Sequence, residues 1–140
     1  MSSTFPITYN GGALDLSPRV AQNTTIVASP AGASETIVGS VTVPSGISIT
    51  LGVLVVCTFG VTIGTSGVSY QARVRNTNVS GTVVGNTGVA TATAANLYTV
   101  TVIGFDTAAV AGTLEKVTLT VASGAATSTV TPLTVVAICI

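Results

Sequence analysis

Ile47-Ser48-Ile49-Thr50-Leu51-Gly52-Val53-Leu54-Val55-Val56-Cys57-Thr58-Phe59-Gly60-Val61-Thr62-Ile63 is the stretch on which the fold turns. Averaged over its length it is as apolar as a membrane span, but its order is not that of a helix. Every odd position is Ile, Leu, Val, Cys or Phe, and most positions between them are Ser, Thr or Gly. Period two is the signature of a strand with one buried face. Its glycines and many β-branched residues would also weaken a lone helix. The run is longer than an ordinary strand, so Gly52 or Gly60 is expected to mark a bulge, a bend or a break.

On the N-terminal side, Pro44-Ser45-Gly46 supplies turn chemistry that closes a strand over residues 36–43, with Ile37, Val41 and Val43 on one side. On the C-terminal side, Thr65-Ser66-Gly67 turns the chain into residues 68–75. There Val68, Tyr70, Ala72 and Val74 alternate with Ser69, Gln71, Arg73 and Arg75, the clearest hairpin signal in the chain. Residues 76–96 are rich in Asn, Gly, Thr and Ala and read as connections around short strands near 82–84 and 89–93. Strands resume at 97–105, 116–122 and 127–140, with 106–113 as an exposed connection or one helical turn. The apolar run 133–140 predicts a central or interface strand. Residues 1–33, with Pro6, Pro18, Pro30 and Gly11-Gly12, read as an extended N-terminal arm. Residues 34–140 then form one domain of seven to nine strands. With no strand–helix alternation, the expected fold is all-β: an antiparallel β-sandwich, jelly-roll-like.

Composition narrows the function. Only 6% of the 140 residues are charged and the formal net charge is zero, where soluble domains carry about 25% charged residues. Much of the surface is therefore expected to be covered by partners. Zero net charge argues against a nucleic acid or an anionic membrane held by long-range electrostatics. The opening Met1-Ser2-Ser3-Thr4-Phe5-Pro6 has no basic or apolar run, so no secretory signal is expected there.

The inventory for chemistry is thin. There is no His, which removes Ser–His, Cys–His and His–metal constellations within one chain. The carboxylates Asp15, Glu35, Asp106 and Glu115 each lie near a turn or in the arm. They are expected to be solvated there, Glu115-Lys116 as a wet turn. No catalytic residue, cofactor or metal-ligand set is assigned, and the chain is read as a non-enzyme. Cys57 has buried parity and Cys139 lies in the apolar terminal strand. They pack as two reduced thiols, or form a disulfide if their strands are neighbours. Arg73 and Arg75 share the outward face of one strand, about 7 Å apart. They either wet an edge against aggregation or grip an acidic partner by bidentate pairing. Without an aromatic platform they are too little for nucleic acid. The absence of Trp weakens a carbohydrate-binding reading.

Four segments carry a family likeness: Ser34-Glu35-Thr36-Ile37-Val38-Gly39-Ser40-Val41-Thr42-Val43-Pro44, Tyr70-Gln71-Ala72-Arg73-Val74-Arg75, Tyr98-Thr99-Val100-Thr101-Val102 and Leu133-Thr134-Val135-Val136-Ala137-Ile138. The pattern resembles small jelly-roll proteins of bacteriophage virions: decoration (cement), head-fibre and tail-associated proteins with a tumour-necrosis-factor-like or C1q-like arrangement. That resemblance implies a homotrimer seated on the capsid surface, touching the major capsid protein or another virion protein, with the arm reaching a neighbour. Expected contact residues are Phe5, Ile7, Tyr9, Leu14 and Leu16 in the arm, with Arg73 and Arg75. Two other readings stand beside it. One is a cell-surface or filament subunit assembling by strand addition. The other is a lectin-like module, with calcium dependence at Asp106 and Glu115.

Overall fold

The decisive stretch forms a strand only from Val53 onward, because Gly52 breaks it. Gly52 has φ +148°, and a Cβ there would lie 2.6 Å from the Asp106 carbonyl oxygen. Gly60 marks a second irregularity. The strand opposite it shifts register between Thr131 and Leu133, skipping Pro132, whose ring leaves no N–H for the ladder.

The computed structural model describes residues 8–9, 12–13, 19–27, 34–77, 80–122 and 128–140. Among them the strands are β1 (Thr8–Tyr9), β2 (Gly12–Ala13), β3 (Val20–Asn23), β4 (Thr36–Thr42), β5 (Val53–Ile63), β6 (Ser69–Asn76), β7 (Val83–Asn86), β8 (Ala90–Thr91), β9 (Asn96–Asp106), β10 (Leu114–Ala122) and β11 (Ser128–Cys139). The described residues contain no helix, and thus none able to cross a membrane.

All pairings are antiparallel. One sheet has the order β3-β11-β5-β9, the other β4-β10-β6-β7, with β8 added to β6; β1 and β2 pair with each other. The chain switches sheets at β3→β4, β4→β5, β5→β6, β8→β9, β9→β10 and β10→β11. That is the double Greek key of an eight-stranded jelly roll. The apolar terminal strand is central, between β3 and β5.

The core fills the space between the sheets. Val53, Val55, Cys57, Phe59, Val61 and Ile63 of β5 face Val117, Leu119 and Val121 of β10 and their neighbours, all buried. Each Val, Ile, Leu or Phe so buried contributes roughly 1.5–3 kcal/mol before ordering costs. In β4 the buried residues are Val38, Gly39 and Val41, followed by Val43 just beyond the strand, while Ile37 is half-buried. The β10–β4 ladder shifts register at Val117/Thr118, and this bulge turns Val38 inward in place of Ile37.

Cys57 aligns with Val135, and Cys139 with Val53. Four positions along β5 separate them, far more than a disulfide spans. Both are free, buried thiols, so the disulfide alternative does not hold.

Candidate association surface

The outward face of the β3-β11-β5-β9 sheet is built from the even-numbered positions of β3, β5 and β11 and the odd-numbered positions of β9, which alternate with the core. Register aligns them into rows. Val20, Ile138, Leu54 and Phe105 lie abreast across all four strands. The next row is Gln22, Val136, Val56 and Ile103. Beyond it come Thr134, Thr58 and Thr101, with the Thr58 and Thr101 hydroxyls 3.1 Å apart. Val20 is 53% exposed, Ile103 57% and Phe105 41%. Leu51 and Ile140, both exposed, lie at the same end, where the Leu51 N–H donates to the Ile140 carbonyl at 2.7 Å. No charged residue occupies an outward position on these four strands among the described residues. Sequence parity supplies each strand's share of this face, but the rows depend on register between distant strands and are not visible in the sequence.

The opposite face, on β4-β10-β6, gathers Glu35, Arg73, Arg75 and Lys116, half of the chain's charged residues. Arg75 grips Glu35 with two parallel hydrogen bonds, Nε to Oε1 at 2.7 Å and Nη2 to Oε2 at 2.9 Å, and Nη1 donates to the Gly81 carbonyl at 2.6 Å. Arg73 Nη1 lies 3.3 Å from Glu35 Oε2 and donates to Thr120 Oγ1 at 3.3 Å. Arg73 also donates to the Gln71 side chain, and the Thr118 hydroxyl donates to Glu35. The hydrogen bond from Arg75 is the main cause holding the Glu35 carboxyl below its ordinary range. Lys116 aligns with Arg75 on the same face. The cluster pins residues 34–35 and the turn at Gly81 to the sheet, so Arg75 is engaged within the chain while Arg73 and Lys116 stay partly open. Of the remaining expected contacts, Phe5, Ile7, Leu14 and Leu16 lie outside the described residues. For Tyr9 the structure describes only its strand.

Two carboxylates depart from expectation. Asp106 is 3% exposed and Glu115 1%, so neither is solvated and Glu115-Lys116 is not a turn. The reason is parity. Glu115 is in phase with Val117, Leu119 and Val121, and Asp106 with Val100, Val102 and Gly104. That signal is present in the sequence, but a charged side chain reads as surface. Asp106 Oδ1 accepts the Ala108 N–H at 2.8 Å; its Oδ2 and both Glu115 oxygens have no partner. Burial, then the Asp106 charge, pushes Glu115 up to about 8. The pair lies inside the sandwich rather than along a cleft, where no substrate bond can be placed between them. No group of three or more His, Cys, Asp or Glu is assembled among the described residues.

Hollows among the described residues are small. One of about 170 Å³ is lined by Tyr70, Thr87, Ala90, Thr99, Val100 and Thr101. Another, of about 100 Å³, lies beside Tyr70 and Val89. Both are well below the roughly 300–1,000 Å³ of small-molecule sites.

No family model and no curated protein matches the chain. Two solved structures are similar at low identity. One is from Bacillus endospore appendages, described as a novel family of disulfide-linked pili. It is 14% identical over 99% of this chain and 99% of that one, with a TM-score of 0.46. Another is from infectious bursal disease virus, strain Gx: 15% identical over 96% of this chain but only 37% of that one, with a TM-score of 0.44. Likeness at this level fixes no function.

Proposed function

We propose that this chain is a non-enzymatic structural subunit of a virion, a capsid decoration (cement) protein or small capsid-associated fibre protein that trimerises and staples its neighbours with its N-terminal arm. The observation that carries this reading is the uncharged apolar row Val20–Ile138–Leu54–Phe105, continued by Val136, Val56 and Ile103. A contiguous apolar face of this kind marks an association surface. At about 25 cal/mol per Å², covering some 400 Å² of it contributes roughly 10 kcal/mol before the costs of association. Phe5, Ile7, Tyr9, Leu14 and Leu16 supply the arm's apolar anchors, and Arg73, beside the Arg75–Glu35 pair, faces an acidic partner surface.

The edges favour packing by faces over strand addition. Beside β4, the Val27 N–H donates to the Val38 carbonyl at 2.9 Å and the Asn23 side chain to the Ser40 carbonyl at 2.7 Å. Beside β9, Gly85 of β7 sits so close that a Cβ would lie 2.1 Å from the Ile103 carbonyl oxygen. A filament subunit of the same fold would therefore stack through the apolar face. It would also need a link other than disulfides from Cys57 and Cys139, which are buried.

The test has two parts. Light scattering at two concentrations should give a stable trimer; open-ended polymers would move the filament reading to the front, and a monomer at both would remove trimerisation. Deleting residues 1–16 should abolish attachment to empty capsids while the far-ultraviolet spectrum stays that of a β-sandwich. Unchanged attachment would remove the arm's role.

A further inference from the structure

Asp106 is the last residue of β9 and Glu115 the second of β10, so the two carboxylates stand on the two stems of the crossover 107–113. Both point into the space between the sheets. An ionised carboxylate only accepts hydrogen bonds. Two of them side by side leave three buried oxygens unpartnered, the arrangement found here. One added proton resolves it: the acid form of one residue donates to the other. Asp106 already accepts the Ala108 N–H, which favours its anion, whereas Glu115 has no such support. We propose that Asp106 and Glu115 form a buried one-proton site, in which the Glu115 acid donates to Asp106 Oδ2, and that loss of this proton opens the 107–113 crossover.

Among the described residues, no other charged side chain aligns with the pair. Val41 of β4 and Asn76 of β6 align with Glu115, and Asn76 Oδ1 is taken by the Thr82 N–H at 3.0 Å. Val53 of β5 aligns with Asp106, and beyond Val53 lies Cys139 of β11, influenced by Arg19. Lys116 and Arg75 are close in sequence register but occupy the outward face. The raised affinity of Glu115 for its proton, from burial and from the Asp106 charge, agrees with this assignment. A calcium ion would take six to eight oxygens, and these two residues bring no third acidic or cysteine ligand among the described residues. The crossover can respond because, beyond its own turn bonds from the Thr113 N–H and hydroxyl to the Val110 carbonyl, it is held among the described residues by the Gly112 N–H to the Val43 carbonyl at 2.9 Å, the Val43 N–H to the Thr113 carbonyl at 2.8 Å, and the Ala108 N–H to Asp106.

Linkage sets the expected result. Opening releases the proton, so the opening constant should rise up to tenfold per pH unit between the ordinary carboxyl range and about 8, then level off. The measurement is hydrogen exchange of the Ala108 and Gly112 amides in the full chain from pH 5 to 9.5, corrected for intrinsic exchange rates. Glu115→Gln, which keeps a donor but cannot titrate, should flatten the profile. Because that variant could fail to fold, the side-chain carboxyl ¹³C shift of Glu115 in the wild-type chain is titrated alongside. A Glu115 carboxyl titrating near 4.5, a flat wild-type exchange profile, or a slope that persists in folded Glu115→Gln would each overturn the proposal. So would one-to-one calcium binding at 1 mM calcium chloride that removes the slope, since the occupant would then be a metal ion.

Discussion

Ile103→Glu places a carboxylate on the apolar face beside Val56, on its β9 side, and its effect on association can be worked from the structure. Ile103 is 57% exposed, so covering it recovers about half of a full Ile burial, roughly 1 kcal/mol. The substitution forfeits that. It also forces an unpaired charge between Val56 and the partner surface, at an effective cost of several kcal/mol. The face offers no cation to pair with it, since no charged residue occupies an outward position on its four strands among the described residues. The total, about 4 kcal/mol or more, corresponds to roughly a thousandfold weaker association. The fold itself should be spared, because the side chain points outward from the edge strand β9. Light scattering of the variant across the concentration range of the wild-type oligomer should find monomer, with unchanged thermal unfolding of the diluted chain. Lys116→Glu on the opposite face is the control and should leave the mass unaltered. An Ile103→Glu protein with the wild-type mass would refute association through this face.

Three further outcomes are expected. Gly85→Ala would put a methyl 2.1 Å from the Ile103 carbonyl oxygen, forcing β7 away from β9; a loss of roughly 2–4 kcal/mol in urea unfolding is expected, with faster aggregation as the β9 edge is bared. The Glu35 carboxyl is held below its ordinary range chiefly by Arg75, so its contribution is full above the unfolded-state value near 4.5 and is lost as pH falls through the lower folded value; Glu35→Gln should remove that acid-limb slope in a stability–pH profile and cost about 1–3 kcal/mol at pH 7. Burial pushes the Cys57 thiol up to about 12, so a thiol reagent at pH 8 should leave it unmodified in the native protein and modify it promptly in urea.

How much was legible follows from what each feature requires. The alternation of residues 53–63 encodes both the strand and its buried face, while the sequence offers Gly52 and Gly60 alike as interruptions and only the backbone shows that the strand begins after Gly52. Pairing a distant strand is another matter. Arg73 and Arg75 are read correctly as outward-facing, yet their carboxylate partner is 40 residues away at Glu35, and no local pattern names it. The face rows share that difficulty, since Leu54, Phe105, Ile138 and Val20 become neighbours only through three ladders. Ile37 and Val38 exchange places because a bulge in the partner ladder shifts the parity, which sequence alternation alone cannot register. Asp106 and Glu115 are a different failure: their phase was readable, and the general preference of carboxylates for water outweighed it.

The two broad faces of this sandwich differ in kind, one uncharged and apolar, the other carrying Arg73, Arg75 and Lys116 against the single carboxylate of Glu35. A molecule with unlike sides has a polarity, and any assembly that closes over one side must display the other. Copies joined through the apolar rows would present their arginine sides as a regularly spaced array. A contact too weak to hold one copy then becomes firm through repetition, because each engaged copy raises the local concentration of the next. In such an array, the spacing of the copies would select the partner as much as the chemistry of any one guanidinium.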